Sequence, residues 1–138
     1  MRCLSVRQPW ADLIVRGVKD VENRGWQCRV RGPLLIHASL TLEKIARMEL
    51  EKRGHRFGYL PLGCIVGAAR IVDCLPGRLA KSDWHEEDAW GIYLADAVKF
   101  EEPIKYAGKL QFFDVPLLLV GEQLRKCGLN LEEINCGR

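Results

Sequence analysis

Apolar positions alternate weakly over residues 2–7, which predicts a first strand. Gln8-Pro9-Trp10-Ala11 then predicts a helix start, with Pro9 at the first helical position. Trp10, Leu13 and Ile14 fall on one face of that helix, and Gly17 is a natural stop. A second apolar run, 33–38, opens on Gly32-Pro33 and reads as a strand. Ser39 or Thr41 can cap the helix after it, with Leu42, Ile45, Ala46 and Leu50 as its buried stripe and Gly54 as its end. Glu43–Arg47 and Glu49–Arg53 form i,i+4 pairs on the wet side of that helix. Residues 64–74 are apolar with small residues at Gly67, Ala68 and Ala69, so this strand is expected to be buried on both faces or bent. Residues 91–100 and 109–115 predict further strands, with Lys99 in a solvated turn. The tail, 117–135, predicts one or two short helices broken at Gly128.

The most informative stretch lies just after the first helix. Gly17-Val18-Lys19-Asp20-Val21-Glu22-Asn23-Arg24 puts Lys, Glu and Arg at spacings of three and two behind a glycine. In an extended segment Glu22 and Arg24 point to the same face. Lys19 starts on the other face, but a turn after Gly17 can swing it round. One cation, one carboxylate and one bidentate donor then converge, a set able to clamp a phosphate or a polar base edge. The alternative is a solvated polar turn.

The flanking blocks Leu4-Ser5-Val6-Arg7-Gln8-Pro9-Trp10-Ala11 and Pro33-Leu34-Leu35-Ile36-His37-Ala38-Ser39 stand in order around this octet. With them, the chain resembles the ASCH domain, whose signature G-x-K-x-x-E-x-R is matched at all four fixed positions of 17–24. Residues 61–67, 90–94, 102–104 and 108–110 resemble the family's later strands, so the resemblance runs from about residue 3 to about residue 116. It implies an α+β fold, a small mixed β-barrel (PUA-like) with two or three flanking helices, and a role in RNA binding. The signature is then expected beside a cleft, in a single domain over 1–138 whose residues 117–138 form a short helical extension.

Composition adds boundaries. A chain of 138 residues with a 48% hydrophobic share suits one globular domain, and a formal charge of +3 is too mild to indicate a nucleic-acid binder by itself. No run of 18 apolar residues appears and the first five residues lack a signal peptide's apolar core, so a cytoplasmic protein without membrane association is expected. The six cysteines, at 3, 28, 64, 74, 127 and 136, never form C-x-x-C. Buried, reduced thiols are expected, with no metal site and no cofactor.

Other residues could complete a site. Gln8 is a candidate to read a base edge, and Trp10 could stack or pack in the core. His37 and Ser39 share one strand face and could line a pocket, or His37 could be a satisfied semi-buried histidine. In Trp84-His85-Glu86-Glu87-Asp88-Ala89-Trp90, Trp90 is the candidate stacking platform, with core packing as its alternative. His85 with its acidic neighbours could bind a metal weakly or form a solvated turn. Arg24, Arg29 and Arg31, and Lys52, Arg53, His55 and Arg56, form two basic clusters that would track a phosphate backbone if they shared a face.

Two functions follow. In the first, RNA or a nucleoside or nucleotide ligand is held by Gln8, Lys19, Glu22, Arg24, His37, Ser39 and Trp90. In the second, Lys19 and Glu22 are catalytic in a hydrolase acting on a modified nucleoside. Some ASCH proteins are amidohydrolases for N4-acetylcytidine, but that subgroup carries threonine where this chain has Glu22; ribonuclease activity, with Glu22 and His37 or His85 as the acid–base pair, is also reported in the family. A carboxylate beside Lys19 is expected to keep the ammonium charged, which favours clamping over base catalysis.

Overall fold

The computed structural model describes residues 1–136 of the chain, without the side chains of Glu133, Asn135 and Cys136. Six strands and four α-helices follow one another as β1 (Arg2–Gln8), α1 (Trp10–Val15), β2 (Val21–Arg24), β3 (Gly32–Leu42), α2 (Lys44–Lys52), β4 (Cys64–Leu75), β5 (Trp90–Lys105), β6 (Phe112–Asp114), α3 (Leu117–Lys126) and α4 (Leu131–Cys136). A single 3-10 turn, Gly77–Leu79, sits between β4 and β5. The strands form one mixed sheet in the order β2-β5-β4-β3-β1-β6, with only β1 and β3 parallel.

Both faces of the sheet are buried, and strand alternation shows how. Leu4, Val6, Leu34 and Ile36 point to one face, where α1 contributes Ala11, Ile14 and Val15. Cys3 and Leu35 point to the other face, where α3 contributes Val120 and Leu124 and α4 contributes Leu131. The expected double burial of the 64–74 run holds over its first half, where six successive residues from Cys64 to Ala69 are buried, while Arg70 and Val72 are exposed. Gly67 explains part of it. A Cβ there would lie 2.2 Å from the Val98 carbonyl oxygen and 2.7 Å from a Val15 methyl, so the absent side chain lets α1 sit on the sheet.

Several expectations need correction. The sheet does not close into a barrel: its hydrogen-bond ladder stops at β2 on one edge and β6 on the other. β6 pairs with β1 only at Arg2, Cys3 and Leu4. Beyond that point the Ser5 carbonyl accepts from the Arg24 guanidinium at 2.8 Å. The Trp26 and Phe112 rings meet edge-on at 5.6 Å. Side chains thus bridge the seam where a barrel would have ladder bonds. Among the described residues α1 and α2 precede β4, and α3 and α4 form the tail. Pro9 precedes α1 as its N-cap, and Glu43 rather than Ser39 or Thr41 precedes α2, because β3 runs on to Leu42. Ile45, expected in the buried stripe of α2, is 78% exposed. Only Leu50 of that helix is buried. Lys99 lies within β5, 3.3 Å from Asp12, not in a turn.

Candidate functional site

The signature octet is shaped by the end of α1. Gly17 adopts φ +76°, which a side chain would resist. The Leu13 carbonyl accepts from both Val18 and Lys19 N–H, at 3.0 and 3.1 Å. This reversal turns Lys19 toward the start of β2, as a turn after Gly17 was expected to do. On β2, Glu22 and Arg24 project to one side, fixed by antiparallel pairing of Glu22 with Ile92 and Arg24 with Trp90.

The three charged groups form one network. Arg24 donates from Nε at 3.0 Å and from Nη2 at 2.8 Å to Glu22 Oε2. Lys19 Nζ lies 3.4 Å from Glu22 Oε1 and donates to the Val21 carbonyl. The ammonium also faces the Trp10 ring, 5.6 Å from its centroid. Lys19 and Glu22 are only 5% and 8% exposed. Burial pulls the Lys19 pKa below its ordinary 10.5, and the attraction of Glu22 opposes that without cancelling it. The expected pull of Glu22 toward the charged ammonium is present, but burial outweighs it in the direction of the shift. The geometry gives the reason: one carboxylate oxygen is committed to Arg24, and the other stands at a long 3.4 Å from the ammonium.

This network lines an open cleft of about 880 Å³. Trp10 and Trp84 form an aromatic corner, with ring centroids 6.5 Å apart and planes at 76°. His55 tilts against Trp84 at 5.8 Å. Trp10 donates its indole N–H to Glu43, which also stands 3.6 Å from Arg7. Arg53 and Lys109 line the cleft with no side-chain partner among the described residues, and Nη1 of Arg24 has none either. The segment carrying Trp84 is tied to the signature strand. Asn23 donates to the Trp84 carbonyl at 2.9 Å and accepts from Glu86 N–H at 3.0 Å, while Ser82 donates to Asp20.

Not every candidate reaches this cleft. Lys19, Glu22, Arg24 and Ser39 line it together. Gln8 does not. It is fully buried, donating to the Pro61 carbonyl at 3.1 Å and accepting from Asp12 N–H at 3.0 Å, so it braces the start of α1. His37 is also outside, 1% exposed. Its Nε2 faces the Tyr106 carbonyl at 2.7 Å, and a carbonyl can only accept, so Nε2 carries the proton and Nδ1 accepts from Ser5 Oγ at 2.9 Å. Burial lowers the His37 pKa from 6.5. Trp90 packs against the core instead of the cleft. The tryptophan of that segment that lines the cleft is Trp84, six residues earlier. Trp90 stands opposite Arg24 across β2 and β5, a nonlocal pairing.

His85 is taken up by Tyr93 and the Ala89 carbonyl at 2.9 and 3.0 Å. Among the described residues no group of three or more metal-binding side chains comes together. The two basic clusters divide: Arg24 and Arg53 line the cleft, while Arg29 and Arg31 do not. Arg7, Asn23, Glu43, Trp84 and Lys109 were not singled out from sequence as site residues. Their only common signal is nearness to the matched blocks. The buried Cys3 thiol is pushed up to about 12, and burial raises Cys28, Cys64 and Cys127 as well, so none of these thiols is an activated nucleophile.

Comparison with known proteins extends this picture. The ASCH domain family matches residues 4–112. Human activating signal cointegrator 1 is 37% identical over 132 residues, which cover 81% of this chain but 22% of that protein. The mouse protein is 37% identical over 84 residues, 53% of this chain and 14% of its own length. The chain thus spans about a fifth of the human relative. Among solved structures, ASCH from Zymomonas mobilis superposes with a TM-score of 0.56 at 14% identity, covering 91% of this chain and 93% of the other. A single-residue mutant of it gives 0.59 at the same identity, with 90% and 96% covered. At that identity the likeness concerns the fold.

Proposed function

The chain belongs to the ASCH domain family, and on that premise we propose that its cleft binds RNA by capturing one unpaired nucleotide. One observation carries the reading: cationic groups without side-chain partners among the described residues (Arg53, Lys109 and Nη1 of Arg24) share a cleft with the Trp10–Trp84 corner. The cations suit phosphate oxygens, and an exposed indole face suits a base. The mutual pairing of Lys19, Glu22 and Arg24 holds the donors in place before a ligand arrives, which lowers the ordering cost of binding. Fluorescence anisotropy with an unpaired RNA hexamer across a salt series tests this. Affinity is expected to fall as salt rises, and Arg53→Glu and Lys109→Glu to weaken it further. No binding at low salt overturns the proposal.

A second reading, an amidohydrolase for a modified nucleoside such as N4-acetylcytidine, draws support from the lowered pKa of Lys19. A neutral Lys19 amine could accept a proton from water as hydroxide adds to the acetyl carbon. The C–N bond then breaks, the proton passes to N4, and acetate leaves. Glu22, where the deacetylating subgroup has threonine, weighs against this. Acetate release from N4-acetylcytidine by the wild type, lost in Lys19→Ala, would establish the enzyme. Its absence beside measurable RNA affinity leaves binding.

A further inference from the structure

The cleft is chemically lopsided near Trp84. Asp83 and Glu86 both line it, on either side of Trp84 in the sequence, and neither has an ion-pair partner among the described residues. Glu86 lies near enough to Lys19 to raise its pKa. The segment that carries them is not a loose loop. Asn23 grips it at the Trp84 carbonyl and the Glu86 N–H, Asp20 accepts from Ser82, and Ser82 Oγ in turn accepts from Trp84 N–H at 3.2 Å. Two variable positions of the signature octet therefore fix one aromatic face and two acceptor-only groups at the same wall.

Free carboxylates repel phosphate, so this wall is unsuited to the backbone of a nucleic acid. They accept hydrogen bonds from exocyclic amino groups, such as N4 of cytosine, and oppose carbonyl oxygens, such as O4 of uracil. We infer that the Ser82–Glu86 segment is the base-reading element of the cleft, selecting a base with an amino group on its pairing edge over uracil, a deduction that rests on the RNA-binding reading above. In it Trp84 stacks on the base, Asp83 and Glu86 read its edge, and Asn23 is a positioning residue.

Cytosine and uracil differ little in ring size, so oligo(C) and oligo(U) hexamers separate edge reading from stacking. The C hexamer is expected to bind about five-fold tighter or more. Asp83→Asn combined with Glu86→Gln, both at exposed positions, should bring the two affinities together, because amides donate as well as accept. Asn23→Ala should also reduce the ratio. Equal affinity for C and U in the wild type overturns the inference, as does a ratio that survives the double amide variant. A ratio unchanged in Asn23→Ala removes the tether from it. Failure to bind either hexamer overturns the RNA reading itself.

Discussion

Ser5 stands between two buried polar clusters that differ in one respect. Its carbonyl accepts from Arg24, in the Lys19–Glu22–Arg24 network. Its hydroxyl bonds His37, which bonds the Tyr106 carbonyl. The second cluster is neutral and closed. Both ring nitrogens of His37 are used, and Phe113 packs edge-on against the ring at 5.9 Å. The first is charged and unfinished, since Arg24 lines the cleft and its Nη1 has no partner among the described residues. Burial and satisfied hydrogen bonds describe both clusters. Only the leftover donors, beside an open volume, make one of them a candidate site.

The largest expected effect comes from Arg24→Met. It leaves the nearly buried Glu22 with one distant partner, and loss of one member of a buried pair costs about 3 kcal/mol or more. Urea unfolding should show that loss, and anisotropy should show RNA binding abolished in the folded protein. Retained binding would erase the distinction between the two clusters.

The two tryptophans of one segment sharpen it. Trp90→Ala should cost stability, about 3 kcal/mol, with RNA affinity of the folded protein little changed. Trp84→Ala should do the reverse, weakening RNA by about five-fold or more with an unchanged melting temperature. The opposite pattern would move the platform back to Trp90.

The smallest effect concerns pH. The folded pKa of His37 lies below 6.5, so as pH falls through 6.5 the unfolded chain takes up a proton that the folded chain refuses. Stability is therefore complete above 6.5 and declines on acidification, by at most about 1.4 kcal/mol per pH unit. His37→Gln should flatten this slope below pH 6.5. An unaltered slope would mean that the closed cluster does not exclude the proton.

The readable parts of the molecule were those set by short spacings. Gly17, Lys19, Glu22 and Arg24 converge because a helix stop and a two-residue strand period act locally. The run from Cys64 to Ala69 declared its double burial through composition alone. Positions decided by distant partners were not readable. Gln8 has the chemistry of a base reader, but Pro61 and Asp12 claim its amide. Trp90 and Trp84 are alike in sequence, and only tertiary packing separates them, with Trp84 lining the cleft and Trp90 against the core. Ile45 fits an amphipathic stripe, yet α2 buries only Leu50. The barrel failed to close for a related reason: whether two edges meet depends on the sum of twist along six strands, and no local pattern encodes it.

That open seam has a colloidal consequence. A bare strand edge is a template on which a strand from another molecule can add, the usual beginning of edge-to-edge aggregation. Here β2 offers four residues and β6 only three. The β2 edge also carries Glu22, Asn23 and Arg24, whose charges and side-chain bonds an incoming strand would have to disturb. Brevity and charge on the same four residues let the fold keep an open seam without inviting its own copies into it.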